Sequence, residues 1–174
     1  MLVILIGYRA TGKTTLAKLL ARRLACEWID ADVAIEQRAG KSIARIFAED
    51  GEPAFRDLEA RVIADLCRRA DLVLAAGGGA PLREDSRRRM RAAGKVVWLK
   101  ATPETIHRRM TADATTPDRR PALTEHDPVR EIIELLQRRE PIYRETAHLE
   151  LDTEGKSAEE LADAILERLG EDAR

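Results

Sequence analysis

Aromatic side chains are scarce in this sequence: Phe, Trp and Tyr together make up 3% of 174 residues. Proteins that bind single-stranded nucleic acid stack successive bases on aromatic faces, so that function is not expected here. Charge of one sign is lacking too. Lys and Arg number 30 against 31 Asp and Glu, a formal net charge of −1. Neither nucleic acid nor an anionic membrane would be drawn to the chain as a whole, which leaves only local clusters of its abundant arginines. The two cysteines, Cys26 and Cys67, fit no metal-ligand spacing and read as ordinary buried thiols in or at the end of helices. No stretch approaches the roughly 20 apolar residues of a membrane span. The apolar run Leu2 to Ile6 is too short for a signal peptide and lacks a basic start. A cytoplasmic protein is expected.

What is present is enough for one core. Hydrophobic residues make up 44% of the chain, and its length suits a single compact domain spanning 1–174. Apolar runs with strand character recur at Leu2–Ile6, Trp28–Ile29, Leu72–Ala75, Val96–Leu99 and Leu149–Leu151. Helical periodicity fills the intervals; Leu16, Leu19, Leu20 and Leu24 share one face, with Lys18, Arg22 and Arg23 toward solvent. Thr102 before Pro103 and Asp127 before Pro128 mark helix starts. Ser157 with Glu160 reads as a capping box for the last helix, which Gly170 is placed to end. Alternating strands and helices predict an α/β fold of three layers, a five-stranded parallel sheet with helices on both faces. Two stretches fit this alternation poorly. Residues 33–61 hold two or three helical pieces with no strand between them, and residues 111–124 are polar, proline-punctuated and aperiodic. A loop that long inside a compact domain usually serves a function, often as a lid.

The segment Gly7-Tyr8-Arg9-Ala10-Thr11-Gly12-Lys13-Thr14 matches G-x-x-x-x-G-K-[ST] between a strand and a helix. Glycines let the backbone curl with its N–H groups turned inward on phosphate oxygens, and the following helix offers its positive end to the anion. Lys13 can reach the β- and γ-phosphates and the Thr14 hydroxyl can ligate Mg²⁺. Gly7, Ala10, Thr11, Gly12, Lys13, Thr14 and Thr15 are therefore the nucleotide-binding candidates.

The second strand ends in Asp30-Ala31-Asp32, two carboxylates two residues apart. At the carboxyl end of a parallel strand such a pair faces the ligand crevice, although Asp30 or Asp32 alone also reads as a plain helix N-cap, Asp32 as readily as a site residue. Gly77, Gly78 and Gly79 directly follow another strand, where the backbone can approach a bound molecule closely or simply turn. Arg56, Arg120 and Arg139 taken singly would be solvated surface residues.

Together these segments resemble the shikimate kinase family over nearly the whole chain. The shared pieces are the phosphate loop, Ile29-Asp30-Ala31-Asp32, residues 40–47, Phe55-Arg56-Asp57-Leu58-Glu59, Gly77-Gly78-Gly79, Arg120-Pro121, and Arg139 before Pro141 and Tyr143. The resemblance implies a P-loop kinase fold like that of nucleoside monophosphate kinases. In it residues 33–61 form a helical substrate-binding insert and residues 111–124 a lid. It also implies transfer of the ATP γ-phosphoryl group to the shikimate 3-hydroxyl, with Mg²⁺, in a monomer that needs no nucleic acid or membrane. Asp32 would bind the ring hydroxyls and accept the proton. Arg56 and Arg139 would clamp the shikimate carboxylate, with the Gly77–Gly79 backbone on the other side. Asp30 and Thr14 would support the metal, Lys13 and Arg120 would neutralise the transferring phosphoryl group, and Arg109, with Arg108 a near-equal candidate, would stack on adenine.

Two positions depart from the commonest family pattern. Ala10 stands where glycine is frequent, and Ala122 where a larger aliphatic is common in the lid. The first is expected to affect loop geometry slightly, the second lid closure. The competing readings are a gluconate-type or other small-molecule kinase, a nucleoside monophosphate kinase, and a nucleotide-binding module without transfer. The first lacks a reason for the Asp32, Arg56 and Arg139 set. The second would need contacts to an acceptor phosphate. The last is disfavoured by the carboxylate pair.

Overall fold

Each β-prone run forms a strand in the computed structural model, which describes residues 1–112 and 128–172. The strands are β1 (Leu2–Ile6), β2 (Glu27–Asp30), β3 (Leu72–Ala75), β4 (Lys95–Lys100) and β5 (Leu149–Asp152). They make one sheet in the order β2-β3-β1-β4-β5, and every pairing is parallel. The helices are α1 (Lys13–Leu24), α2 (Ala31–Ala39), α3 (Ile43–Leu66), α4 (Glu84–Ala93), α5 (Pro103–Ala112), α6 (Pro128–Thr146) and α7 (Ala158–Asp172). The predicted α/β architecture with five parallel strands is what forms.

β1 explains the three layers. All five of its residues are buried, because a central parallel strand is covered on both faces. Ile4 and Ile6 join Leu72, Leu74 and Trp98 against Ile35, Phe55, Val62 and Tyr143 of α2, α3 and α6. Val3 and Leu5, pointing the other way, join Val97 and Leu99 against Leu16 and Leu20 of α1 and Leu161 and Ile165 of α7. The edge strand β2 is far more exposed, and Lys18 covers its Trp28 ring at 4.9 Å. A third small cluster of Tyr8, Ile106, Ile132 and Leu136 joins the phosphate loop to α5 and α6.

Local signals set the helix ends. Thr102 Oγ1 accepts the Thr105 N–H at 3.2 Å at the start of α5. The Ser157–Glu160 capping box closes reciprocally, with Ser157 N to Glu160 Oε2 at 2.7 Å and Glu160 N to Ser157 Oγ at 3.2 Å. Helix α6 does begin at Pro128, while Asp127 lies outside the described residues. One stop signal fails: α7 continues past Gly170 to Asp172. Gly170 does not adopt a positive φ, and glycine permits a left-handed cap without requiring one. The thiols also differ from expectation, since Cys26 and Cys67 are half-buried. Burial still pushes the Cys67 thiol up to about 11, so it stays protonated and inert near neutral pH.

Residues 33–61 are helical throughout apart from short breaks. Helix α3 bends at Gly51, whose φ of 83° and ψ of 169° are not helical, with Pro53 just beyond. It is therefore two helices, residues 43–50 and 52–66, held at the bend by the Phe47 and Phe55 rings 4.6 Å apart. The bend matters because the next residue after Phe55 is Arg56.

Leu20 is fully buried and Val33 is 37% exposed. Leu20→Ala should therefore cost about 2–5 kcal/mol, read as a lower urea midpoint at constant slope. Val33→Ala should stay within about 0.5 kcal/mol.

Candidate active site

The phosphate loop starts where β1 stops. Gly7 has φ 141°, and a Cβ there would lie 2.5 Å from the Leu99 carbonyl oxygen of β4. Only glycine lets the chain leave the sheet at this point. Thr11, buried, donates its hydroxyl to the Tyr8 carbonyl at 2.8 Å and braces the loop from inside. Lys13 Nζ folds back to donate to the carbonyls of Gly7 (3.0 Å) and Tyr8 (2.7 Å), so its charge lies over the loop. Helix α1 begins after Gly12 with no side-chain cap and no acidic residue in its first turn. Its first N–H groups and the positive end of its dipole are thus left to an anion. Ala10 adopts φ 61°, the left-handed conformation that its family departure from glycine makes costly.

Asp30 ends β2 and works with both oxygens. Oδ1 accepts the Asp32 N–H at 3.0 Å and caps α2; Oδ2 accepts the Thr14 hydroxyl at 2.7 Å. The N-cap open to Asp32 in sequence thus belongs to Asp30, and Asp32 sits in the first turn of α2. Thr14 and Asp30 present two hard oxygen donors side by side, the donor type that suits Mg²⁺. Among the described residues no group of three or more His, Cys, Asp or Glu side chains could hold a metal. An ion at Thr14 and Asp30 would complete its shell with phosphate oxygens and water.

The three glycines after β3 lie under the remaining candidates. A Cβ on Gly77 would sit 2.7 Å from Asp32 Oδ1 and 3.2 Å from Glu59 Oε1. On Gly78 it would be 3.7 Å from Arg139 Nη1 and 3.3 Å from the Gly7 carbonyl oxygen, and on Gly79 it would overlap the Arg56 guanidinium. Asp32, Arg56 and Arg139, from three different helices, therefore converge on one bare strip of backbone beside the phosphate loop. Arg56 Nη1 donates to buried Glu59 at 2.7 Å. Its Nε and Nη2 both reach a single oxygen of exposed Glu52 at 3.3 Å. Glu59 thus fixes the group while its bidentate edge is held only weakly, ready for another carboxylate. The Arg139 guanidinium lies 5.7 Å from the centre of the Tyr8 ring.

Arg109 and Arg108 separate in space. Arg109 Nη1 approaches the Ala10 carbonyl at 3.3 Å and the Thr153 hydroxyl at 3.5 Å, whereas Arg108 turns to Thr105 at 3.2 Å. Glu154 ties this corner together by accepting from the Thr102 N–H (2.9 Å) and the Thr105 hydroxyl (3.0 Å). The Thr102 N–H holds its carboxyl below the ordinary range. Thr111 and Ala112 complete α5; the rest of the expected lid, with Arg119, Arg120, Pro121, Ala122 and Leu123, lies outside the described residues.

Sequence reasoning passed over Tyr8, Tyr143 and Glu154 as site residues. Tyr8 is buried under Arg139, and burial raises its hydroxyl pKa so that it stays neutral. Tyr8 lies within the phosphate-loop motif and Tyr143 follows Arg139 in the family-like segment, but neither position pointed to a contact; Glu154 had no local signal at all. Glu59, three residues after Arg56, did have one, because that spacing places the pair together on a helix.

The model of the family described as shikimate kinase matches residues 9–170. The chain is 44% identical over 162 residues to a shikimate kinase of Rhodopirellula baltica, covering 93% of this chain and 87% of that one. It is 38% identical to a shikimate kinase of Symbiobacterium thermophilum, covering 98% and 97%. Among solved structures, shikimate kinase from Acinetobacter baumannii in complex with shikimate superposes with a TM-score of 0.90 at 36% identity, covering 98% of this chain and 93% of that one. The enzyme from Aquifex aeolicus gives 0.80 at 31%, covering 99% and 98%.

Because Ala10 carries a left-handed backbone, Ala10→Gly should leave ATP affinity intact and raise stability by up to about 1 kcal/mol. Relief of strain outweighs the entropy added to the unfolded chain. A urea titration with and without nucleotide checks both.

Proposed function

We propose, because the chain belongs to the shikimate kinase family, that it transfers the γ-phosphoryl group of ATP to the 3-hydroxyl of shikimate, giving 3-phosphoshikimate and ADP. The observation that carries this reading is the convergence of Asp32, Arg56 and Arg139 on the Gly77–Gly79 strip beside the phosphate loop. A small acceptor with one carboxylate and several hydroxyls matches that set: two guanidinium groups for the carboxylate, one carboxylate for the hydroxyls. Gluconate also carries a carboxylate and hydroxyls, but family membership favours shikimate. An acceptor phosphate, as in a nucleoside monophosphate, would leave Asp32 opposing it.

In this reading Arg56 exchanges its two long contacts with Glu52 for a bidentate pair with the substrate carboxylate, while Glu59 keeps the guanidinium plane in place. Arg139 takes the same carboxylate from the far side. Asp32 accepts the hydrogen bond of the 3-hydroxyl and aims it at the phosphoryl group in line. Lys13 leaves its loop carbonyls for the phosphate oxygens, and the inward N–H groups of Gly7 to Thr15 hold the rest. Thr14, and Asp30 through water, would hold a Mg²⁺ ion, which would supply positive charge to the phosphate oxygens. Arg109 packs against adenine. Residues 33–61 serve as the substrate-binding insert and 111–124 as a lid from which Arg120 reaches the transferring group and water is excluded. Every residue named comes from one chain, so the reaction needs no second copy. No covalent intermediate is required, since phosphoryl transfer rests on positioning and electrostatics. Among the described residues no helix is long and apolar enough to cross a membrane, in keeping with work in the cytoplasm.

ADP release from purified protein with ATP and Mg²⁺ should rise strongly with shikimate and stay flat with gluconate or AMP. ATP turnover indifferent to shikimate would overturn the assignment. Arg56→Ala should raise the shikimate KM about 10–100-fold, the scale of a lost charge-assisted pair. Lys13→Ala should lower kcat by about 10²–10³-fold. Equal, small effects from both would contradict the roles given to them.

A further inference from the structure

Helix α6 brings two residues to the glycine strip, and the proposed chemistry uses only Arg139. One turn later Tyr143 is fully buried, and its hydroxyl donates to the Gly78 carbonyl at 2.6 Å across 65 residues of sequence. Its ring packs against Trp98, centroids 5.7 Å apart and planes at 40°, so the hydroxyl is held where it is by packing. Resting on the acceptor site proposed above, we propose that Tyr143 is a positioning residue for that site. Its hydroxyl locks the Gly78–Gly79 peptide and thereby fixes the spacing between the Arg139 and Arg56 halves of the carboxylate clamp.

The coupling runs through one peptide plane. The Gly78 carbonyl and the Gly79 N–H are opposite ends of the same trans unit, so holding the carbonyl aims the N–H. Glycine on both sides removes the Cβ restraints that would otherwise hold such a peptide, and an unanchored one can rotate. A rotation would disturb close neighbours on both residues. The Arg56 guanidinium occupies the space of a Cβ on Gly79, and Arg139 Nη1 is 3.7 Å from that of Gly78. Because Arg139 and Tyr143 are four residues apart on one helix face, a shift of α6 moves clamp and lock together. The hydroxyl therefore couples the helix that carries one arginine to the backbone on which the other rests.

Tyr143→Phe keeps the ring and its contact with Trp98 and removes only the donor. The shikimate KM should rise about fivefold or more, the scale of one buried hydrogen bond, while the ATP KM stays within about twofold. Thr146→Val is the control. It removes another buried hydroxyl of the same helix, one that bonds the Ile142 carbonyl at 2.6 Å, and should leave the shikimate KM unchanged despite lost stability. A shikimate KM unchanged in Tyr143→Phe, or both KM values rising together, would overturn the inference. So would an equal rise in Thr146→Val. If Tyr143→Phe does not fold, Trp98→Phe decides: loosening the wall behind the ring should raise the shikimate KM alone, and no change counts against the proposal. Arg56→Ala is measured alongside. If it leaves the shikimate KM unchanged, the acceptor site itself is wrong and this inference falls with it. If it raises that KM while Tyr143→Phe does not, only the role of Tyr143 is lost.

Discussion

Parallel pairing of β1, β2 and β3 brings the carboxyl ends of three strands into one row. Leu5 and Asp30 both pair with Ala75, from opposite sides. One or two residues later β1 becomes the phosphate loop, β2 becomes α2 with Asp32, and β3 becomes the glycine strip. A parallel strand must reach its neighbour through a crossover, so the connection after each strand starts at this row and returns the chain to the far end of the sheet, where the next strand begins. The row of outgoing ends is thereby lined by the loops and helix starts that follow the strands and available to a ligand, the general habit of open α/β sheets. A slip of one residue in β3 would carry the glycine strip away from both Gly7 and Asp32 and turn the β3 side chains to the opposite faces. The buried side chains on both faces of the sheet prevent it.

Within that row, polar groups are placed by one another. Asp30 spends one oxygen on the α2 N-terminus and the other on Thr14, so the same carboxylate orients the helix carrying Asp32 and the first turn of α1. Glu59 does the corresponding work for Arg56. A charged group that is buried is stable only with a partner, and the Arg56–Glu59 pair meets that need while leaving one guanidinium edge outward. The arrangement keeps the side chains near their proposed working positions, which lowers the entropy lost when a ligand arrives.

The strands, the phosphate loop and most helix starts were legible because their signals are local. A buried strand reads as an apolar run, and a cap needs only three or four residues to be recognised, as at Ser157 and Glu160. Gly170 shows the limit of such signals, since glycine allows a helix end without imposing one. Asp30 and Asp32 show another. Both stood at a helix start, and only the path of the backbone decided which of them caps it. Arg108 and Arg109 were indistinguishable in sequence because adjacent helical positions differ only in direction, and direction has meaning only once the helix is docked.

Periodicity and a local motif by themselves determined the fold class and the nucleotide loop, because each depends on neighbours within a turn or a strand; the roles of Arg56, Arg120 and Arg139 came only from the resemblance to a known family. Tertiary structure alone decided that Asp32, Arg56 and Arg139 share one strip of backbone, that Tyr8 lies under Arg139, and that Tyr143 reaches Gly78. Those contacts join residues from α2, α3, α6 and two strand ends. Nothing in the spacing of such residues along the chain encodes their distance, which the sheet order and the docking of helices on it set.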